Sequence, residues 1–240
     1  MAKSVLADRD TAALVCGRFT SSQRREAIGE RFEVAVPETY SERFNLAPQQ
    51  QALIVRDQDG DREAVMAKWG LLPGWAKDPK IAFKMINARA ETLPEKPAYR
   101  SLISKYRCLI PADGFYEWIV DEDGKKTPIY FQLAERTLFA FAGLWTSRTD
   151  EQTGEIVESC TIITTTPNEL VATVHDRMPV VLPVDLESVW LDSAVSKEHA
   201  LGLLKPYPAS LMVAAPASRD VNSAGSDFPG LLVPDNALAA

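Results

Sequence analysis

Residues 107–120 read Arg-Cys-Leu-Ile-Pro-Ala-Asp-Gly-Phe-Tyr-Glu-Trp-Ile-Val, two apolar runs separated by Asp113 and Gly114. Runs rich in aromatic and β-branched residues and bounded by turn residues predict strands, here at 107–110 and 114–120. Three further runs, at 128–134, 138–145 and 156–166, follow without regular helices between them. A parallel sheet requires such crossover helices, so this centre predicts a mostly antiparallel sheet.

The rest of the chain predicts one hairpin before this centre and helices on both sides of it. Gln58-Asp59-Gly60 joins the runs 51–57 and 62–69 in the manner of a hairpin turn. Helices are predicted at 23–32 with Ser21 and Ser22 as caps, 93–105, 168–174, 185–191 and 197–204, before a strand at 211–217. Because there is no repeat or linker, we expect a single α+β domain whose curled, barrel-like, mostly antiparallel sheet is flanked by helices.

The composition excludes several classes of protein. Of 240 residues, 46% are hydrophobic and 25% are charged, which is typical of a globular domain rather than a disordered or collagen-like chain. No stretch reaches the ~20 apolar residues that span a bilayer. Asp8, Arg9 and Asp10 interrupt any signal-peptide core. We therefore expect a cytoplasmic protein without membrane contact, associated with the nucleoid only through DNA.

The cysteines fit a reducing compartment. Cys16, Cys108 and Cys160 are odd in number and too far apart in sequence for a zinc knuckle. The ordinary state of such a cysteine is a buried free thiol, and this is the structural interpretation of Cys16 taken alone. No disulfide framework, metal site or cofactor is expected.

Charge is distributed unevenly along the chain. The overall net charge of −7 argues against a protein that coats nucleic acid indiscriminately. Residues 64–107 nevertheless hold nine basic and three acidic side chains, a net +6 that leaves −13 for the remainder. This stretch is either a solvated basic face or a phosphate-binding stripe on an acidic body, and composition does not choose between the two.

Two residues stand in sequence contexts suited to acid–base chemistry. His175 is followed by an acid and a base at the predicted end of a helix, although a lone histidine can also be structural. Glu117 alternates with Phe115 and Ile119 on one face of its predicted strand. If that face is buried, lost hydration raises the pKa of the carboxyl towards that of a general acid or base. If it is exposed, Glu117 is an ordinary surface charge.

A polar triplet with a period of two follows Met85-Ile86. Asn87, Arg89 and Glu91 would share one face if this segment is extended. One interpretation is a loop with an internal Arg–Glu pair. The functional interpretation is that Arg89 binds a phosphate and Asn87 orients a reacting group.

Six segments, taken in order, resemble the motifs of the SRAP family, the abasic-site-processing proteins also called SOS-response-associated peptidases. The matching segments are Cys16-Gly17-Arg18-Phe19, Asn45-Leu46-Ala47-Pro48, Trp69 to Trp75, Asn87 to Thr92, Gly114 to Trp118 and His175 to Pro179. The resemblance covers Cys16 to about Pro229.

The resemblance implies a protein that attaches itself covalently to abasic sites in single-stranded DNA. The α-amine of Cys16 would condense with the sugar aldehyde, and its thiol would close a thiazolidine ring. Asn87, Glu117 and His175 would complete the catalytic set: Glu117 moves protons, His175 assists sugar opening and strand cleavage, and Asn87 holds the amine and the opened sugar. The DNA-binding residues implied are Arg18, Arg89 and Arg177 for phosphates and Trp75 for base stacking.

One departure from the family concerns the position of the cysteine. In the family it follows the initiator methionine, whereas fifteen residues precede Cys16 here, and an amide nitrogen is not a nucleophile. Either Val15 marks the true start, read from a GUG codon, or processing removes the extension, by autoproteolysis in keeping with the peptidase name. We therefore divide the chain into an extension at 1–15, an SRAP domain at 16–233 and a tail at 234–240.

Two other functions fit some of the same residues. Cys16, His175 and Asn87 are residue types that a cysteine peptidase or amidase uses, although no peptidase motif surrounds Cys16. A non-catalytic single-strand binder would need only the basic stretch. In each nucleic-acid case the expected partner is single-stranded DNA, and the expected state is a monomer.

Overall fold

The computed structural model describes residues 16–58, 60–135, 138–150 and 153–232. The predicted extension 1–15, the turn residue Asp59, residue 233 and the predicted tail 234–240 lie outside the described residues. The strands are β1 (Arg18–Ser21), β2 (Arg43–Leu46), β3 (Gln51–Gln58), β4 (Asp61–Trp69), β5 (Asn87–Arg89), β6 (Arg107–Ala112), β7 (Gly114–Val120), β8 (Lys126–Leu133), β9 (Phe139–Thr149), β10 (Ile156–Thr165), β11 (Met178–Pro179), β12 (Val181–Leu182) and β13 (Met212–Pro216).

Helices are few and short. The α-helices are α1 (Arg25–Phe32), α2 (Leu102–Lys105), α3 (Val184–Leu191) and α4 (Lys197–Gly202). Short 3-10 helices occupy Pro79–Lys84, Ala90–Thr92, Val171–Thr173, Ala209–Leu211, Arg219–Asn222 and Pro229–Leu232. Within the described part of the chain, no helix has the length and apolar character that crossing a membrane requires.

Five strands close into a barrel. β3 pairs with β4 and β6, β6 pairs with β9, β9 pairs with β10, and β10 returns to β4. The pairings of β10 with β4 and β5 are parallel, whereas the other pairings between described strands are antiparallel. The predicted α+β fold with a barrel-like, mostly antiparallel sheet is confirmed.

The chain then passes from the barrel into a second sheet, whose strand order is β13-β8-β7-β1-β2. The crossing point is Asp113, between β6 and β7. Its buried carboxylate accepts a hydrogen bond from the Thr20 hydroxyl and two bonds from Ser22, from the backbone N–H at 2.8 Å and from the hydroxyl at 2.6 Å. These bonds hold the start of β7 against β1, so the residues on these two strands keep a fixed register.

An aromatic core joins the barrel to the second sheet. Phe19 of β1 packs edge-on against Trp69 of β4 and Phe141 of β9, with ring centroids 5.1 and 5.7 Å apart. Phe115 of β7 contacts Phe141 from the same side, at 6.2 Å. Cys16 belongs to this buried cluster. The core therefore fixes the segment that begins at Cys16.

Several predicted helices are shorter than expected. Of the predicted helix 93–105, only α2 forms, because Pro97 lacks the backbone donor for an i→i−4 bond and disfavours helical backbone at Lys96. The predicted helix 168–174 is reduced to the 3-10 turn Val171–Thr173. α1 begins at Arg25, since Ser21 belongs to β1 and Ser22 binds Asp113 instead of capping the helix.

Candidate active site

The backbone nitrogen of Cys16 lies against a buried carboxyl group. Its N–H donates a hydrogen bond to Oε1 of Glu117 at 2.6 Å, between residues 101 positions apart in sequence. The register of β1 and β7, with Arg18 opposite Tyr116, brings the residues just before β1 beside Glu117. Cys16 has a φ of 44°, in the left-handed region that few residues other than glycine adopt, so the chain turns sharply at this point.

Glu117 faces the interior of the protein. Only 1% of the residue is exposed, and Phe115, two positions earlier, is fully buried, whereas Ile119 at the end of the strand is exposed. Burial raises the pKa of the Glu117 carboxyl to about 8, although the hydrogen bond from Cys16 N–H opposes this effect and the charge of Asp176 adds to it. Of the two interpretations of Glu117, the one with a buried carboxyl is therefore confirmed. The carboxyl has a pKa suited to proton transfer near neutral pH.

The thiol of Cys16 is not activated in this geometry. Burial raises the pKa of the Cys16 thiol well above 9.0, and the nearby charge of Glu117 raises it further. A catalytic thiolate requires the opposite shift, which a neighbouring cation or a helix N-terminus provides. Cys16 is therefore held as a neutral thiol beside a carboxyl group.

His175 borders the same cavity as Glu117. This cavity has a volume of about 370 Å³ and is lined by Gly17, Arg18, Pro48, Glu117, Trp118, Val120, Lys126, His175 and Asn222. The histidine Nδ1 accepts the backbone N–H of Arg177 at 3.1 Å and also lies 3.0 Å from Oδ1 of Asp176. The first contact fits a neutral ring with its proton on Nε2, whereas the second fits a ring that carries a proton on Nδ1. Burial lowers the pKa of His175 more than Asp176 raises it, because the Asp176 carboxylate, 3.0 Å from Nδ1, is 89% exposed.

Arg18 provides positive charge in this cavity. Its Nη1 donates to Oδ1 of Asn45 at 3.0 Å and to the carbonyl of Val221 at 2.8 Å. Both partners are neutral, and Arg18 makes no ion pair within the described part of the chain. A guanidinium held by neutral acceptors keeps its charge available for an anion.

Some residues around the site were not predicted individually. Asn45 is fully buried, and besides holding Arg18 its Nδ2 donates to the carbonyls of Ser223 at 3.0 Å and Ser226 at 2.8 Å. Trp118 donates from Nε1 to Oδ1 of Asn222 at 2.6 Å. The segment after β13 therefore forms one wall of the cavity. No local sequence signal indicates these partners, which lie more than 100 residues apart.

Trp75, Asn87 and Arg89 line a second depression of about 560 Å³. Trp75 is 61% exposed, which is unusual for the largest side chain. The Arg89 side chain is exposed and makes no hydrogen bond or ion pair with a described residue, whereas its backbone carbonyl accepts the hydroxyl of Thr92 at 3.4 Å. Asn87 is half-buried at the start of β5, opposite Ile162 of β10. An exposed aromatic ring beside an available cation is the arrangement that stacks bases and binds phosphates.

Glu91 pairs with Arg177 and not with Arg89. Nη1 and Nη2 of Arg177 donate to the two carboxylate oxygens of Glu91 at 2.7 and 2.9 Å. The predicted shared face of Asn87, Arg89 and Glu91 is wrong for Glu91, because the strand ends at Arg89 and Glu91 lies in the turn Ala90–Thr92. The Glu91–Arg177 pair connects the segment that carries Asn87 to the segment that carries His175.

The remaining predicted residues lie away from these cavities. Cys108 and Cys160 are fully buried free thiols in the barrel, and burial raises the pKa of Cys160 to about 12. His199 is exposed on α4. Among the described residues, no group of three or more His, Cys, Asp or Glu side chains is arranged to hold a metal ion.

Comparison with known sequences gives one consistent match. The model of the family "SOS response associated peptidase (SRAP)" matches residues 15–224. The abasic site processing protein YoqW of Bacillus subtilis (strain 168) is 42% identical over 222 residues, which cover 91% of this chain and 99% of YoqW. The abasic site processing protein HMCES of Gallus gallus is 33% identical over 81% of this chain and 67% of its own length.

Comparison with solved structures agrees with the sequence match. A crystal structure of a protein from Bacteroides thetaiotaomicron superposes with a TM-score of 0.83 at 28% identity, covering 91% of this chain and 99% of that chain. A crystal structure of a protein from Bordetella bronchiseptica superposes with a TM-score of 0.73 at 27% identity, covering 85% and 100%. The barrel and second sheet therefore form an architecture already seen in crystals.

Proposed function

This chain belongs to the SOS response-associated peptidase (SRAP) family, and we propose that it processes abasic sites in DNA through a covalent bond to Cys16. Relatives from Bacillus subtilis (strain 168) and Gallus gallus carry the name abasic site processing protein. The substrate that fits this site is the ring-opened aldehyde of an abasic deoxyribose in single-stranded DNA. The product is a thiazolidine that joins the sugar C1′ to the nitrogen and sulfur of Cys16.

The reaction requires Cys16 to be the N-terminal residue of the active chain. Its free α-amine attacks the aldehyde carbon, and the resulting carbinolamine loses one water to give an imine. The thiol then adds to the imine carbon, its proton passes to the imine nitrogen, and a five-membered ring closes. Because amine and thiol belong to one residue, the second step is intramolecular and has a high effective concentration.

The observation that carries this proposal is the 2.6 Å hydrogen bond from the Cys16 nitrogen to the Glu117 carboxyl. Loss of water from the carbinolamine needs an acid at the oxygen, and attack by the amine needs a base at the nitrogen. A carboxyl group with a pKa of about 8 can serve as either near neutral pH. In the second step the same carboxyl can accept the thiol proton and pass it to the imine nitrogen, while the sulfur adds to the imine carbon.

Other residues of the two cavities are assigned by their chemistry. The Nε2–H of His175 would donate to the sugar oxygen as the ring opens, and the same histidine would serve in a strand-cleaving, lyase-like side reaction. Arg18 would bind the phosphate next to the abasic sugar. In the second depression, Arg89 would bind a phosphate and Trp75 would stack on a base. Asn87, at its border, would hold the opened sugar.

A cysteine peptidase or amidase is the less favourable alternative. Such an enzyme needs a thiolate paired with a histidine that accepts its proton. Here burial raises the pKa of the Cys16 thiol, and Nδ1 of His175 already accepts the backbone N–H of Arg177. A proteolytic step that removes residues 1–15 and exposes the Cys16 amine remains part of the proposal, since the carboxyl of Glu117 lies at the nitrogen of that peptide bond.

Replacing the nucleophile tests the proposed function. A chain that begins at Cys16 should form an adduct with single-stranded DNA containing one abasic site, visible as a slower band on a denaturing gel. Cys16→Ala should form none, because it lacks the thiol that closes the ring. Cys108→Ala is the matched control: it removes another fully buried thiol and should crosslink like the parent. Equal adduct yields from Cys16→Ala and the parent would contradict the assignment, and reversible binding alone would indicate a plain single-strand binder.

A further inference from the structure

The last residues of β10 lie between the two segments that carry predicted site residues. On one side, β5 pairs in parallel with Ile162–Thr164 of β10, beginning at Asn87. On the other side, β11 pairs antiparallel, with Pro179 opposite Thr164 and Met178 opposite Thr165. His175 lies three residues before β11. The relative position of Asn87 and His175 is therefore determined across the end of a single strand.

Glu91 and Arg177 form a bridge over this strand end. Both terminal nitrogens of Arg177 donate to the two oxygens of Glu91, at 2.7 and 2.9 Å. Nη2 of Arg177 also donates to the carbonyl of Thr164, at 2.8 Å, so the bridge is anchored to β10 itself. Only 12% of the Arg177 side chain is exposed, compared with 47% for Glu91. A bidentate pair with one buried partner has a well-defined geometry.

Arg177 also contacts the histidine ring, through its backbone rather than its side chain. The backbone N–H of Arg177 donates to Nδ1 of His175 at 3.1 Å. A shift of Arg177 would move this donor and change the direction in which Nε2–H points. Glu91 thus acts on His175 through one intermediate residue.

Glu91 occupies the donors that a phosphate would use. A phosphate and a carboxylate engage a guanidinium in the same bidentate manner. While Nη1 and Nη2 of Arg177 face Glu91, a DNA phosphate must compete with this carboxylate for them. Nε of Arg177 is itself buried, so the two terminal nitrogens that face Glu91 are the donors that a phosphate would have to reach.

We infer that Glu91 is a positioning residue, which holds Arg177 back from DNA phosphates and keeps His175 oriented for the reaction. This inference rests on the proposed function. It predicts an unusual combination: loss of the Glu91 carboxylate should strengthen binding to DNA while slowing the chemical step. A residue with a merely structural role would weaken both, and simple removal of a negative charge would strengthen binding without slowing the reaction.

Glu91→Gln tests this split in a chain that begins at Cys16. The rate constant of adduct formation is measured against the concentration of abasic single-stranded DNA, which separates the half-saturating concentration from the rate constant at saturation. We expect the half-saturating concentration to fall about threefold, the size of a released ion pair. We expect the saturating rate constant to fall about tenfold, because a displaced catalytic group costs at least this much. Glu95→Gln, the same charge change at an exposed position in the same basic stretch, should alter both values less than about twofold.

The pathway through Arg177 is tested by a double substitution. In an Arg177→Ala background, Glu91→Gln should change the saturating rate constant no more than Glu95→Gln does, because the guanidinium that Glu91 holds is missing. An equal slowing in both backgrounds would overturn the inference, as would a Glu91→Gln variant that matches Glu95→Gln or that no longer folds by circular dichroism. A parent chain that forms no adduct would contradict the proposed function, and this inference with it.

Discussion

The fold raises the pKa of the Glu117 carboxyl, and measurements of stability against pH can test this shift. Burial raises its carboxyl pKa from 4.5 to about 8, so the folded chain holds this proton more tightly than the unfolded chain does. Below pH 4.5 the carboxyl is protonated in both states and costs no stability. Between pH 4.5 and about 8 the unfolded chain ionises first, and the free energy of unfolding falls as the pH rises. Above pH 8 this loss is complete.

Glu117→Gln should remove this pH dependence. The amide has nearly the same shape, and its Oε1 can still accept the Cys16 N–H, but it never ionises. In chains that retain residues 1–15, where the Cys16 nitrogen is an uncharged amide, we expect the variant to unfold at the same temperature as the parent near pH 4.5 and at a higher temperature at pH 9, as measured by thermal denaturation. The adduct should form at least about a hundredfold more slowly, because the proton-transfer group is lost. A stability difference that is constant across this pH range would mean that Glu117 is not buried in neutral form.

Arg89 is the predicted phosphate ligand that forms no ion pair among the described residues, although its charge lowers the pKa of the nearby Glu91 carboxyl. Arg89→Ala should weaken binding to undamaged single-stranded DNA and reduce the slope of log affinity against log salt by roughly 0.7, the value for one phosphate contact on a single strand. Affinities measured at several salt concentrations by fluorescence anisotropy give this slope. Lys205→Ala, an exposed basic residue outside the basic stretch, should leave it unchanged. An unchanged slope for Arg89→Ala would exclude a phosphate contact.

At the scale of single residues, sequence reasoning succeeds where the pattern is local. The alternation of Phe115, Glu117 and Ile119 predicts a glutamate flanked by apolar neighbours, and burial of that face makes it a raised-pKa group. The same reasoning could not predict which residue pairs with Glu91. Arg177 is 86 positions away and meets Glu91 only because β5 and β11 flank one strand end.

Among the secondary-structure elements, α2 and α3 depend on one buried arginine. Nε of Arg107 donates to the carbonyl of Trp190 at 2.5 Å, and Nη1 donates to the carbonyl of Ile103 at 2.6 Å. Nη2 donates to the carbonyl of Asp192, just after α3. A cation at helix C-termini satisfies carbonyls that have no partner within the helix. Arg107, the first residue of β6, therefore attaches both helices to the barrel.

Arg107→Met should destabilise the fold without changing the chemistry. It would leave several buried carbonyls without donors, at a cost of about 3 kcal/mol or more, equivalent to roughly 6–12 °C in melting temperature for a domain of this size. Calorimetry measures the change, and Lys105→Met, exposed on α2, is the control with little effect. Below its melting temperature, Arg107→Met should still form the adduct at the parent rate. A melting temperature within about 2 °C of the parent would contradict this structural role.

The long strands of the centre were predictable because each is a continuous apolar run with its own turn signals. Short elements were not. β1 and β2 have only four residues each, too few for a periodic pattern, and they form because β7 and the barrel core provide partners. The predicted helix 93–105 was wrong for the opposite reason: a helical pattern of apolar residues was present, but Pro97 removed a backbone donor beyond the first turn.

On the scale of the whole molecule, the site lies where the barrel and the second sheet meet. β7 and β1 of the second sheet bring Glu117 to Cys16, while β10 of the barrel holds Asn87 and the segment of His175. The basic stretch 64–107 contributes Arg89 and Lys96 to the second depression, on a chain with a net charge of −7. Local positive charge on an acidic body favours binding at one place over coating of the DNA.

The most direct test of the central claim is the identity of the bond that Cys16 forms. A chain that begins at Cys16 and one that retains residues 1–15 are each incubated with abasic single-stranded DNA, without reductant, and the adducts are analysed by intact mass, peptide mapping and thiol alkylation. We predict an adduct only for the first chain, with the mass of protein plus DNA less one water, located at Cys16, whose thiol no longer reacts. An adduct on a lysine, an adduct with a reactive Cys16 thiol, or equal adduct formation by the chain that retains residues 1–15 would contradict the account.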